Sequence, residues 1–157
     1  MPAANASSTL VIDYQKLDLF SAPTGSLLAH ACNCHGVWGS GIAVTFKATF
    51  PKSFEEYKQY CRDKGKDALG TSLITSERVA CLFTSFNYGV KRDPPHNILM
   101  HTAKAVTDLL SKIGPTDQVF SNKFNSGFFG VPWEHTEEEL AASLLFSAAV
   151  KWTVCTP

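Results

Sequence analysis

One stretch constrains this chain more than any other, Ser26-Leu-Leu-Ala-His-Ala-Cys-Asn-Cys-His-Gly-Val-Trp-Gly-Ser-Gly-Ile-Ala-Val-Thr-Phe46. Its first part, Leu27 to Cys32, is a short apolar run of the kind that forms a fully buried strand. The run breaks at Asn33-Cys-His-Gly36 and resumes with Ile42, Phe46 and Phe50 at helical spacing. A strand passing through a glycine-rich turn into a helix can build an anion site. Gly36, Gly39 and Gly41 let the backbone approach a ligand, and the helix start supplies unpaired N–H groups and a partial positive charge. His30, Asn33 and His35 are the titratable and hydrogen-bonding groups of this stretch. The same junction is common in α/β proteins that bind nothing, so the turn alone decides little.

The chain has 157 residues, 45% hydrophobic and 18% charged, which fits one globular domain able to bury a sizeable core. Net charge is zero, which argues against nucleic acid or an anionic membrane as partner. It leaves room for a small anion held by local donors. Five cysteines, Cys32, Cys34, Cys61, Cys81 and Cys155, form no framework spacing. We expect reduced thiols and a cytoplasmic or nuclear setting. Residues 1–9 are small and polar and read as a frayed tail, leaving 10–157 as the single domain. No apolar run is long enough to span a membrane.

In chain order, Leu10 to Tyr14 reads as a strand and Ser21 to Gly25 as a turn. A helix is expected from Gly41 to Phe50, stopped by Pro51. Ser53-Phe-Glu-Glu56 has the capping-box pattern and predicts a second helix ending at Gly65. Leu73-Ile74 and Val79 to Thr84 predict strands. Pro94-Pro95 suits a helix start, followed by Ile98, Thr102, Val106, Leu109 and Ile113 at helical spacing. Gln118 to Asn122 predicts a strand. Thr136-Glu-Glu-Glu139 is a second capping-box pattern, with Leu140, Leu144 and Ala148 on one helical face, and Lys151 to Cys155 closes as a strand. The alternation implies a layered α/β fold with a largely parallel sheet.

Ligands bind beyond the carboxyl ends of strands in such sheets. The chain offers two glycine turns of that type, Asn33 to Gly41 and Asn125-Ser-Gly-Phe-Phe-Gly130, which together could grip a diphosphate with backbone amides. With Leu17-Asp-Leu-Phe20, Ala29–Ala43 and Asn125–Trp133, the chain resembles the macrodomain family, the ADP-ribose-binding α/β/α module. Within it, the His30-x-Cys-Asn-Cys34 run, the Cys81–Ser85 strand, the tyrosine-glycine loop reaching Asp93 and Phe129-Gly-Val-Pro-Trp133 resemble a fungal branch of ADP-ribose 1″-phosphate phosphatases. The fold implied is a three-layer α/β/α sandwich around a mixed, largely parallel sheet. The substrate implied is an ADP-ribose carrying a phosphate on its distal ribose, a by-product of fungal tRNA splicing.

The resemblance also implies roles. Asp18 would accept from the adenine amino group, with the Leu19 N–H beside it. Asn33 would bind the distal ribose, and His35 could touch the distal phosphate. Gly39, Ser40, Gly41 and Ile42 would line the first loop. Ser126, Gly127, Phe128, Phe129 and Gly130 would line the second. Three positions depart from the family: Leu17 and Asn125 each stand where glycine is usual, and Ser40 interrupts a glycine triplet.

His30 and Asp93 are the catalytic candidates, because that branch is thought to use a histidine and an aspartate. An imidazole can give and take a proton near neutral pH, and a carboxylate can orient it or activate water. The competing roles are a core histidine and a helix N-cap for Asp93. Cys32 and Cys34 with His30 and His35 raise zinc, but tetrahedral sites draw on two separated pairs, so we expect neither metal nor cofactor. Trp38 and Trp133 flank the loops, whereas Trp152 reads as core. The alternative functions are removal of ADP-ribose from modified proteins and ADP-ribose binding without catalysis. The hydrolase branch uses a lysine and an aspartate, and its aspartate would fall where this chain has Phe128-Phe129. That absence favours the phosphatase, acting as a monomer.

Overall fold

The computed structural model describes residues 11–147 and 150–157. The expected tail of residues 1–9, the expected strand start at Leu10 and the helical-face position Ala148 lie outside the described residues. In chain order the strands are β1 (Ile12–Lys16), β2 (Leu27–Cys32), β3 (Ser72–Ile74), β4 (Val79–Phe83), β5 (Gln118–Ser121) and β6 (Lys151–Thr156). The helices are α1 (Ile42–Thr49), α2 (Pro51–Lys64), α3 (Pro95–Lys112) and α4 (Trp133–Leu145). The sheet order is β1-β6-β5-β2-β4-β3. All neighbours run parallel except β3, which pairs antiparallel with β4.

The central strands are buried on both faces, and their side chains alternate between two cores. Leu27 and Ala29 of β2 join Ala80 and Leu82 of β4 in a core with α3 and α4. Leu28 and Cys32 join Val79, Cys81 and Phe83 in a second core with α1 and α2. Helices therefore cover both faces, and the molecule is the expected three-layer sandwich. The first core is mainly aliphatic with Trp133 and Trp152. The second is rich in aromatics and thiols, including Trp38, Phe46, Tyr57, Cys32, Cys61 and Cys81. Its five cysteines are all free.

The connections fix where a ligand can enter. From β2 the chain crosses by α1 and α2 to β3 and β4 on one side, and from β5 it crosses by α4 to β6 on the other. Right-handed crossovers in opposite directions lie on opposite faces. The loops leaving β2 and β5 therefore part from one another at the carboxyl edge, which opens a crevice.

Two local expectations are corrected. Pro51 does not merely stop α1; it occupies the first turn of α2, and Phe50 is the residue between the helices. Ser53 is then inside the helix, not its cap. Its N–H and hydroxyl donate to Glu77 Oε1, at 2.7 and 2.8 Å, and Glu56 instead accepts from Ser76. Likewise α4 starts at Trp133, and Thr136 is a buried helical residue. Pro51 sets the start of α2, since a missing N–H costs nothing at the first helical position, and Pro132, extended at ψ 136°, is the cap residue before α4. Gly65 does end α2, with φ 54°.

Candidate functional site

The crevice at the β2/β5 parting is walled on one side by Asn33 to Ala43 and on the other by Asn122 to Phe129, with Tyr88 and Gly89 at a third edge. The two glycine loops meet: a Cβ built on Gly41 would lie 3.2 Å from the Phe128 ring. Of the residues expected to bind, Asn33, Gly39, Ser40, Gly41, Ile42, Gly127, Phe128 and Phe129 line this cleft. Asp18, Leu19, His35, Ser126 and Gly130 do not.

The first loop is braced by Asn33, which is 6% exposed. Its Nδ2 donates to Val37 O at 2.7 Å, and its Oδ1 accepts from His35 N at 2.9 Å and Val37 N at 3.4 Å. The Tyr57 hydroxyl reaches from α2, 2.8 Å from Asn33 O and 3.0 Å from Asn33 Oδ1. Burial pushes the Tyr57 phenol far above its ordinary range, so it remains a donor. Gly41 then turns the chain with φ 59° into α1. The expected ribose contact at Asn33 thus has a prior duty, holding the loop's own amides.

The second loop hangs from Asn125, 4% exposed, with φ 68°. Asparagine tolerates this left-handed conformation, which explains how it can stand where glycine is usual. Its Oδ1 accepts from Thr84 at 2.8 Å, and its Nδ2 donates to Thr102 at 2.9 Å and Thr136 at 3.2 Å. Thr102 already gives its hydroxyl proton to Ile98 O, so it can only accept, which fixes the amide's orientation. Backbone bonds Val131 N to Asn125 O and Gly130 N to Gly127 O close the turn. Gly127 itself faces open space.

Asp18 is exposed at the carboxyl end of β1, where Oδ1 caps the short turn Leu19–Ser21 by accepting from Phe20 N at 3.2 Å. Leu19 is buried beneath it. His35 is exposed, with Nε2 3.0 Å from Asn87 Oδ1, next to Phe86 and Tyr88. Ser126 and Gly130 are exposed on the second loop outside the cleft wall.

Both catalytic candidates make structural contacts. His30 is 1% exposed. Its ring stacks on Phe46 at 3.9 Å and meets Trp38 edge-on at 4.9 Å. Because β2 alternates its side chains, His30 points into the aromatic core behind the cleft and is not among the residues that line it. Asp93 is not the N-cap of α3, a position held by Pro94. Its carboxylate accepts from Phe86 N at 2.8 Å and Asn87 N at 3.3 Å, and its own N–H donates to Ser85 Oγ at 3.1 Å. It staples the loop that carries Tyr88.

Cys32 and Cys34 are disfavoured as nucleophiles. Burial pushes Cys32 well above its ordinary value. Burial, with Cys61, Cys32 and Asp93 nearby, pushes Cys34 up to about 12. The four donors that raise the question of zinc do not converge, since Cys34 faces Ser85 O and His35 faces outward. The donors that do converge are His30, Cys32 and Cys81, all buried. They give three ligands, and the raised Cys32 disfavours the thiolate a metal needs.

Sequence reasoning missed Asn122, Phe124, Tyr88 and Val37 as cleft residues. It identified Trp38 as a wall, and Trp38 lines the cleft and stacks on Tyr57 at 4.8 Å. Trp133 instead packs in the aliphatic core and donates to the Tyr14 hydroxyl.

The macro domain family model matches residues 29–140, which spans both loops. The chain belongs to the macrodomain family. A protein of Candida albicans named ADP-ribose 1″-phosphate phosphatase is 44% identical over 149 residues, covering 83% of this chain and 92% of that one. The macrodomain of Mycobacterium tuberculosis DarG superposes with a TM-score of 0.77 at 24% identity, covering 93% of this chain and 97% of that one. Thermosipho africanus DarTG, solved in complex with ADP-ribose, superposes with a TM-score of 0.70 at 16% identity, covering 96% of this macrodomain and 42% of that chain.

Proposed function

We propose that this macrodomain is an ADP-ribose 1″-phosphate phosphatase, releasing ADP-ribose and inorganic phosphate. The observation that carries the reading is the 44% identity to the Candida albicans phosphatase across nearly its whole length. The intact cleft between two amide-rich loops supports it. ADP-ribose would lie across the β2/β5 parting, with its adenine toward Asp18 and its diphosphate between the first loop and the second. The donors there are main-chain amides at a helix start and in a tight turn, which suit phosphate oxygens. Hydrolysis breaks the bond between phosphorus and the distal ribose oxygen as water attacks. With two buried thiols disfavoured as nucleophiles, water is the attacking group in this reading.

His30 and Asp93 then act by positioning. His30 is part of the aromatic floor behind Cys32 and Asn33, and Asp93 holds the Ser85–Gly89 loop at the mouth. The chain acts as a monomer in a reducing compartment in this reading, consistent with its five free thiols.

The test is phosphate release from ADP-ribose 1″-phosphate by the purified protein without added metal, run beside a mono-ADP-ribosylated protein. Phosphate release with the protein adduct untouched supports the phosphatase. Loss of the adduct without phosphate release moves the assignment to a protein hydrolase. Tight ADP-ribose binding with neither reaction makes it a reader.

A further inference from the structure

One cation at the mouth has no counterpart. Arg92 is exposed between Tyr88-Gly89, which line the cleft, and the second loop. Its Nη1 donates to Gly89 O at 3.3 Å. Its Nη2 and Nε lie 3.3 and 3.4 Å from where a Cβ of Gly130 would stand, so the guanidinium lies against the second loop because that residue is glycine. Among the described residues, no carboxylate comes within ion-pair distance of it. The adjacent Asp93 is already engaged with the amides of Phe86 and Asn87. A guanidinium carries five N–H donors in a rigid fork, and here only one meets the protein. The guanidinium bridges two rim positions, Gly89, which lines the cleft, and Gly130, next to Phe129, which also lines it, and its other donors have no partner among the described residues.

We propose that Arg92 is the specificity residue for the terminal phosphate, the group that separates ADP-ribose 1″-phosphate from ADP-ribose. This rests on the substrate assigned above. The chemistry is that of a charge-assisted fork on a phosphate dianion, which an amide-lined loop cannot supply alone. The same tether to Gly89 O places the cation on the loop that Asp93 holds, so Asp93 serves the phosphate subsite through Arg92.

For the wild type, Arg92→Ala and Arg92→Lys, the experiment measures affinity for ADP-ribose 1″-phosphate, from the KM of phosphate release where it is turned over and by calorimetry where it is not, and the dissociation constant of ADP-ribose by calorimetry. Loss of a charge-assisted contact predicts about tenfold or greater weakening for the phosphorylated ligand in Arg92→Ala. ADP-ribose should stay within about twofold, and Arg92→Lys should fall between, since an ammonium supplies charge without the fork. Because the side chain is exposed, both variants should fold. Equal weakening of both ligands, or of neither, overturns the inference, as does a wild type with no preference for the phosphorylated ligand. If the wild type prefers that ligand and loses the preference in Arg92→Ala, yet releases no phosphate, the subsite stands and the phosphatase reading falls.

Discussion

The two walls of the cleft are each suspended from one buried asparagine, and the two are held in opposite ways. Asn33 bonds mostly within its own loop, to the backbone of His35 and Val37. Asn125 bonds to three threonine hydroxyls brought from after β4, from α3 and from α4. The first brace is local and closes a turn that its own sequence largely specifies. The second exists only after three distant elements have docked, so the second loop is welded to the fold while the first is built mostly from itself, with Tyr57 and Cys61 of α2 as the outside partners of Asn33. The difference should show as a division of labour: disturbing Asn125 attacks the fold, and disturbing Asn33 attacks the site.

The largest effect is expected at Asn125. Asn125→Ala strands the buried hydroxyls of Thr84 and Thr136 and forces alanine to φ 68°. Unmet buried polar groups and a left-handed backbone together predict about 3–5 kcal/mol of lost stability. Asn125→Gly keeps the backbone free and should recover about 1 kcal/mol of that. Denaturant unfolding of both variants checks the pair. A loss under about 1 kcal/mol in Asn125→Ala would mean the loop is not welded as the hydrogen bonds indicate.

Asn33→Ala is the counterpart. The amide's partners are the backbone of His35 and Val37 and the buried Tyr57 hydroxyl, and that hydroxyl keeps Asn33 O as an acceptor when the side chain is lost, so the stability loss should be about 1–2 kcal/mol. ADP-ribose affinity should fall about tenfold or more, because the amides that would face phosphate lose their common anchor. Thermal unfolding and calorimetry on one preparation separate the two effects. If Asn33→Ala proves as unstable as Asn125→Ala, the contrast between the loops fails.

A third test compares glycines. Gly41→Ala puts a side chain at φ 59° and ψ −143°, a region essentially reserved for glycine, with the Phe128 ring 3.2 Å away. We expect about 1–3 kcal/mol of destabilisation as well as weaker binding. The ring is half-exposed and can swing aside, so the backbone is the larger cause.

The same contrast explains what could be read from the sequence. The glycine turn after β2, the two proline-started helices' general positions and the parallel sheet all follow from residues close together in the chain. The Asn33–Gly41 loop was legible for that reason. The Asn125 brace was not, because nothing in Asn125-Ser-Gly names Thr84, Thr102 and Thr136 as its partners. The surroundings of His30 were not legible for a related reason. It sits beside loop residues in sequence, but strand alternation turns it away from Ala31 and Asn33 and onto Phe46. Ser53 and Thr136 matched a capping pattern three residues from a glutamate, yet Pro51 and Pro132-Trp133 set the helix starts one turn earlier.

The smallest effect on the fold is expected at Gly127, and it is the most informative about the site. A Cβ there meets nothing within 4 Å, and no positive φ forces glycine on the position. Gly127→Ala should therefore leave stability unchanged or raise it by up to about 1 kcal/mol through the unfolded chain's lost freedom. A methyl group that touches no protein atom can only be felt by something that enters the cleft. If the ligand's diphosphate runs against this backbone, ADP-ribose affinity should drop about tenfold while the melting temperature holds. Gly41→Ala cannot give so clean a reading, because its strain disturbs protein and ligand together. Unchanged affinity in Gly127→Ala would place the diphosphate away from the second loop and leave the first, self-built loop as its main support.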